Sequence, residues 1–201
     1  MSRTIVSRGK NFIVYSDGTI RVDNVRMSYP HLAKAWAKNE TDRKKYSATG
    51  LAPKETHDEA KKALVEAINK LLTASKMGKI GSEHKFVRDG DDTGKAENEG
   101  MWVIKASENE GRAPSVRYPN GSLIPHDKIE SIVYPGCIVN ILIRPWAQNN
   151  VHGKKINANL IGVQFVRDGE RLGEAPIDDE GAWDEIEDET GGDSGDDGDD
   201  L

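Results

Sequence analysis

Catalysis needs a constellation of side chains, and this chain offers five histidines, one cysteine and one acidic loop from which to build it. His31, His57, His84, His126 and His152 are scattered, and none is spaced to share a helix face as a metal-ligand pair. Cys137 stands alone, so neither a zinc knuckle nor an internal disulfide can form. No Gly-rich loop runs into Lys-Ser/Thr, and there is no nucleophile elbow. Residues 89–100, "DGDDTGKAENEG", open like a calcium loop, with Asp89, Asp91 and Thr93 at positions one, three and five and Gly94 at six. Position twelve should supply a bidentate Glu and is Gly100. Asp89, Asp91 and Asp92 could in principle hold two magnesium ions for a nuclease, but nothing else in the chain supports that chemistry. The expectation is a non-enzyme with no cofactor and no metal.

A different chemistry recurs, in which a cation sits beside a flat ring. Lys44, Lys45 and Tyr46 are consecutive, Trp102 precedes Lys105, Arg117 adjoins Tyr118, and Arg144 is two residues from Trp146. Lys154 and Lys155 add charge just beyond. Proteins that hold single strands combine cationic grooves with aromatic platforms, because every nucleotide carries a phosphate and every base a π-face. Each stacked base is worth about 1–3 kcal/mol, so a few such pairs suffice for tight, sequence-tolerant binding. Tyr46, Trp102 and Trp146 could equally be core residues.

Most of these residues sit on segments that read as strands. Phe12–Tyr15 and residues 19–27 flank "SDG", a hairpin turn that tolerates positive φ. Residues 44–51 read as a third strand, ended by Pro53. In "GCIVNILIRPW", alternation sends Cys137, Val139, Ile141 and Ile143 to one face and Ile138, Asn140, Leu142, Arg144 and Trp146 to the other. Residues 101–107, 136–145 and 156–167 complete about six strands. One helix interrupts them, with Thr56 as N-cap and Glu59 closing a capping box. Its apolar stripe runs through Ala60, Ala63, Leu64, Ala67, Ile68, Leu71 and Leu72, and Gly78 and Gly81 stop it. This order suits a mainly β, OB-like antiparallel barrel with one inserted α-helix, ahead of an open α+β sandwich. "FVRDG" occurs at 86–90 and again at 165–169, and is read as one local solution used twice, a strand running into an Asp-Gly turn.

Charge divides the chain. From 174 to 201 there are 14 Asp and Glu and no Lys or Arg, so all 28 bases and 20 of the 34 acids lie in residues 1–173. The body is about +8 and the tail −14, an asymmetry that points to nucleic-acid or partner binding. We therefore expect a binding domain over 1–173, with 1–20 an extra hairpin, and a disordered acidic tail over 174–201. The tail's reach of about 30 Å would let it compete with DNA for the basic groove. Asp196, Asp197, Asp199, Asp200 and the terminal Leu201 would engage partner proteins. No segment reads as a signal peptide or membrane span, so a soluble cytoplasmic protein is expected.

Four stretches carry a resemblance: "SYPHL" at 28–32, "KYSATGLAPK" at 45–54, "YPGCIVN" at 134–140 and "QFVRDGERLG" at 164–173. In order and spacing they resemble the bacteriophage single-stranded-DNA-binding proteins once catalogued as a domain of unknown function. The resemblance implies an OB fold and sequence-independent binding of single-stranded DNA. It also implies a role in phage replication or recombination in the cytoplasm of an infected bacterium, and an acidic tail that recruits phage or host replication proteins. Homo-oligomers are compatible with it. The Arg-Pro element is looser here, as Arg112-Ala113-Pro114, and the first 20 residues lie outside the likeness. Alternatives are a strand-annealing recombination protein, a metal-dependent nuclease, or an adaptor whose body only holds the tail.

Overall fold

The computed structural model describes residues 3–173. The acidic tail and its proposed contacts, Asp196, Asp197, Asp199, Asp200 and Leu201, lie outside the described residues.

Five strands pair in a ring. The long β3 (Ile20–Trp36) pairs with β4 (Lys45–Pro53), β4 with β6 (Met101–Asn109), and β8 (Ile138–Asn150) with both β3 and β9 (Gly153–Arg167). These pairings are antiparallel. Between β6 and β9 the ring closes by a single parallel bridge, Ser107 to Asn159, so this seam is open rather than fully laddered. The result is the OB-like barrel expected, with α1 (Asp58–Ala74) inserted between β4 and β6. A second, four-residue helix, α2 (Ile129–Ile132), precedes β8.

The alternation read in β8 holds: Cys137, Val139, Ile141 and Ile143 are at most 1% exposed, in one core with Val22, Val25, Ile156 and Leu160. Burial also pushes the Cys137 thiol up to about 11, so it is a packing group. The N-terminal strands β1 (Ile5–Gly9) and β2 (Phe12–Tyr15) form the extra hairpin and add to the early part of β3. Of its two strands only β2 was legible, because β1 is entirely exposed and so carries no buried face to read. At the β2–β3 turn, Gly18 takes φ +80° and Asp17 accepts bonds from the Thr19 amide and hydroxyl.

Two local expectations change. The capping box does not form. His57 is the N-cap residue, Thr56 Oγ1 lies 2.8 Å from the imidazole Nδ1, and the Glu59 carboxylate accepts from the Lys10 amide at 2.9 Å. Buried His57 instead ties the helix start to β3, its Nε2 lying 2.8 Å from the Asp23 carbonyl oxygen. Secondly, β3 does not stop near Met27 but runs on to Trp36, past irregular pairing between Ser28 and His31 that accommodates Pro30.

Residues 82–89 fill the seam between β6 and β9. Strand β5 (Val87–Asp89) pairs with β6, the Phe86 carbonyl accepts from the Lys105 amide, and Lys85 bridges to Ile156. Both copies of "FVRDG" are strand ends followed by a close approach: a Cβ on Gly90 would collide with the Asn98 carbonyl, and one on Gly169 with the Gly136 carbonyl. The remaining strand, β7 (Ser115–Arg117), runs parallel to the far end of β9.

Candidate nucleic-acid interface

The outer surface of β3, β4 and β6 is floored with small polar side chains. Ser28 pairs with Thr49 and Thr49 with Lys105, while His31 pairs with Ser47 and Ser47 with Ser107. Directly opposed residues share a face, so these form two rows across the sheet. Short side chains leave a trough, walled by the 82–98 segment on one flank and by Lys155 and Asn157 of β9 on another, with a volume of about 1120 Å³.

Two aromatic sites stand in it. At the irregularity in β3, Tyr29 takes φ +46°, an uncommon conformation for a side-chain-bearing residue, and is 55% exposed. The distortion turns its ring out of the sheet. Lys95 Nζ lies 4.5 Å from the ring centroid and donates to the Tyr29 hydroxyl at 3.1 Å. Farther along, Trp36 stacks on His31 with centroids 4.7 Å apart and planes 7° from parallel, leaving the indole 52% exposed. Burial lowers the His31 pKa and favours the neutral imidazole.

The cations are crowded. Among the described residues, Lys85, Arg88, Lys95, Lys105 and Lys155 make no ion pair within 4.0 Å. Arg88 donates to the Glu83 carbonyl, yet its Nε is buried without a partner. The Lys105 pKa is lowered by partial desolvation first and by the charges of Arg88 and Lys95 next. Lys95 is shifted the other way: its pKa is raised, first by its hydrogen bond with the Tyr29 hydroxyl, which also lies 3.3 Å from the Glu97 carboxylate.

The acidic loop has another task. Lys54 Nζ donates to Asp89 at 2.5 Å and Asp91 at 2.6 Å, and Asp91 also accepts from the Gly100 amide. These two carboxylates, which the nuclease alternative required, hold an ammonium and pin the segment that carries Lys95.

Of the residues singled out from the sequence, Lys105 and Lys155 line the trough. Lys44 and Lys45 are exposed where the β3–β4 loop enters β4, and Lys154 is exposed at the β8–β9 hairpin. In OB folds these two loops flank the binding face. Trp146 is exposed and pairs with the trough residue Asn157, so it stands one strand beyond the wall.

The others lie elsewhere. Trp102 alternates away from Lys105 and packs on the core, under the ammonium groups of Lys54 and Lys61 at 4.7 and 4.8 Å. Tyr46 shares a strand face with buried Ala48, opposite Ser47 and Thr49. Arg144 points outward, 4.0 Å from Asp17. Arg117 donates to the Gly121 carbonyl and Tyr118 packs on the core, both beside residues 162–164 of β9, roughly 20 Å along the strand from Asn157. Tyr29, His31, Trp36, Lys85, Arg88 and Lys95 were not anticipated. Tyr29, Pro30 and His31 fall within "SYPHL", whose proline obscures the strand, and the three cations join the site only through the folding-back of residues 82–98.

"YPGC" and "RDGERLG" clasp each other away from the trough. The Tyr134 hydroxyl donates to Asp168 at 2.8 Å, the Leu172 amide donates to the Pro135 carbonyl at 3.0 Å, and Arg171 lies over the Tyr134 ring at 4.2 Å. Gly136, at φ +109°, meets the Glu170 carbonyl where a side chain would begin.

Residues 18–192 match the family described as the ssDNA-binding protein of Enterobacter phage Enc34. The solved structure of the bacteriophage Enc34 single-stranded-DNA-binding protein in complex with ssDNA is 39% identical, with a TM-score of 0.80 over 86% of this chain and 99% of that one. A further structure of the Enc34 protein is 38% identical, with a TM-score of 0.78 over 92% of this chain and 100% of that one. Protein p50 of Acyrthosiphon pisum secondary endosymbiont phage 1 is 31% identical over 160 residues, covering 75% of this chain and 84% of the relative. No helix among the described residues is long and apolar enough to cross a membrane.

Proposed function

The chain belongs to the single-stranded-DNA-binding protein family of Enterobacter phage Enc34, and from that premise we propose that it binds single-stranded DNA, without sequence preference and without chemistry, in the trough across β3, β4 and β6. The observation that carries this reading is the cluster of Arg88, Lys95 and Lys105, unpaired with carboxylates among the described residues, facing the exposed rings of Tyr29 and Trp36. Bases stack on the two rings while phosphates draw the three cations, with Lys155 and the exposed Lys44, Lys45 and Lys154 extending the path. Stacking tolerates any base, and a floor of Ser and Thr has no long side chains with which to read base edges.

The same reading gives the protein a place in phage DNA replication or recombination, covering exposed strands in the host cytoplasm. Its acidic end competes with DNA for the cations, and Asp196, Asp197, Asp199, Asp200 and Leu201 present an apolar anchor beside a free carboxylate to a replication partner. Fluorescence anisotropy with labelled oligo-dT and its duplex, with and without magnesium, tests the core of the proposal. Preferential binding of the single strand, uncleaved in magnesium, is expected, and equal affinity for both or degradation of either would refute it.

A further inference from the structure

Past Ile143, β8 loses one of its neighbours. Its pairing with β3 ends there, opposite Ile20, and residues 144–150 pair only with β9 in a ribbon that turns at Val151 and His152. Trp146 lies on this ribbon and is 39% exposed. Among the described residues it packs neither on the core, as Trp102 does, nor on another ring, as Trp36 does. The fold leaves a flat indole face uncovered.

Register joins Trp146 to the trough. It is directly opposite Asn157, as Gln148 is opposite Lys155, and directly opposed residues share a face of the sheet. Asn157 and Lys155 line the trough, so its surface continues across β9 onto Trp146 and Gln148. The Asn157 side-chain amide donates to the Gln148 side-chain oxygen at 3.0 Å, on that same face. Charge on the ribbon suits a polyanion. Between residues 131 and 167 there is no Asp or Glu, whereas Arg144, Lys154, Lys155 and Arg167 are cationic. Asp17, 4.0 Å from Arg144, is the carboxylate that the turn between β2 and β3 brings to the base of the ribbon.

We propose that a single strand held in the trough leaves it across Lys155 and Asn157 and stacks a further base on Trp146, an extension that rests on the trough being the binding site. The row His31, Ser47, Ser107, Asn159, Arg144 crosses all five barrel strands, and at about 4.8 Å per neighbouring strand it spans about 19 Å. At the rise of about 3.4 Å for stacked bases that takes about six nucleotides, and an unstacked strand takes fewer. The shortest strands therefore occupy the trough alone, and only longer ones reach Trp146.

The test is anisotropy of the full chain and its Trp36→Ala, Trp146→Ala and Trp146→Phe variants with labelled oligo-dT of about four to sixteen nucleotides, the range of OB-fold site sizes. Trp146→Ala should match the parent on the shortest oligonucleotides and bind the longer ones about 5- to 150-fold more weakly. Trp146→Phe, which keeps a ring, should recover most of that loss. Trp36→Ala should weaken binding at every length. If Trp146→Ala matches the parent at all lengths while Trp36→Ala weakens them all, the ribbon subsite is overturned and the trough stands. A loss with Trp146→Ala that is equal at every length, or that Phe fails to recover, would overturn it as well. Indifference of every oligonucleotide to Trp36→Ala would refute the trough itself, and this extension with it.

Discussion

The indole of Trp36 lies over the imidazole of His31, 4.7 Å between centroids and 7° from parallel, with its outer face open to the trough. A ring already backed by another ring is held ready for a base, so less ordering is needed on binding. Replacing Trp36 by Ala should remove about 1–3 kcal/mol of binding to oligo-dT, a loss of about 5- to 150-fold by anisotropy. Trp102→Phe, on the other face of β6, should leave affinity unchanged.

The same stack gives a pH dependence. Burial lowers the His31 pKa in the folded protein, so the unfolded chain binds more protons between the folded value and about 6.5. Stability is therefore fully present above that window and falls as pH drops through the folded pKa. In chemical denaturation, His31→Gln should lose less stability than the parent between pH 7 and pH 5.

Lys105 pays in stability for its place between Arg88 and Lys95. Its lowered pKa means that folding disfavours the charged form, a penalty present at neutral pH and relieved as pH rises through the folded pKa towards the ordinary lysine value. Lys105→Met should raise the Tm of the free protein yet weaken DNA binding, reducing the log–log salt slope by about 0.7 for the phosphate no longer neutralised.

Gly136 is required at the clasp between "YPGC" and "RDGERLG". Gly136→Ala would force a side chain into φ +109° and against the Glu170 carbonyl, which should cost at least about 2 kcal/mol. For a domain of this size that lowers Tm by roughly 5 °C or more. At temperatures where the variant is folded, DNA affinity should be unaffected, because the clasp lies outside the trough.

Cys137 supplies a reporter of opening. With no exposure and a thiol pushed up to about 11, it should resist maleimide in the native state and react only as fast as the barrel unfolds. Labelling rates should therefore rise with denaturant in step with loss of structure.

What could be read from the sequence depended on how local the cause was. The alternation in β8 is set by a period of two within one strand, so the buried face through Cys137, Val139, Ile141 and Ile143 was legible. Lys105, which lines the trough, was singled out from the sequence, but paired with Trp102, which the same alternation turns to the opposite face. Tyr29 and Trp36 were obscured because Pro30 looks like the end of a strand rather than an irregularity inside one. Lys85, Arg88 and Lys95 join the site only because residues 82–98 fold back, with 82–89 plugging the seam between β6 and β9, a pairing that no local pattern encodes. "YPGC" and "RDGERLG" identified the family through a structural clasp, and so could not indicate where DNA lies.

The location of the DNA is the central claim, and ultraviolet crosslinking of oligo-dT followed by peptide mapping tests it most directly. The account predicts adducts on peptides containing Tyr29, Trp36 and Lys105, suppressed by excess unlabelled single strand. Adducts confined to Arg117 and Tyr118, or to the outer face at Arg144, would contradict it.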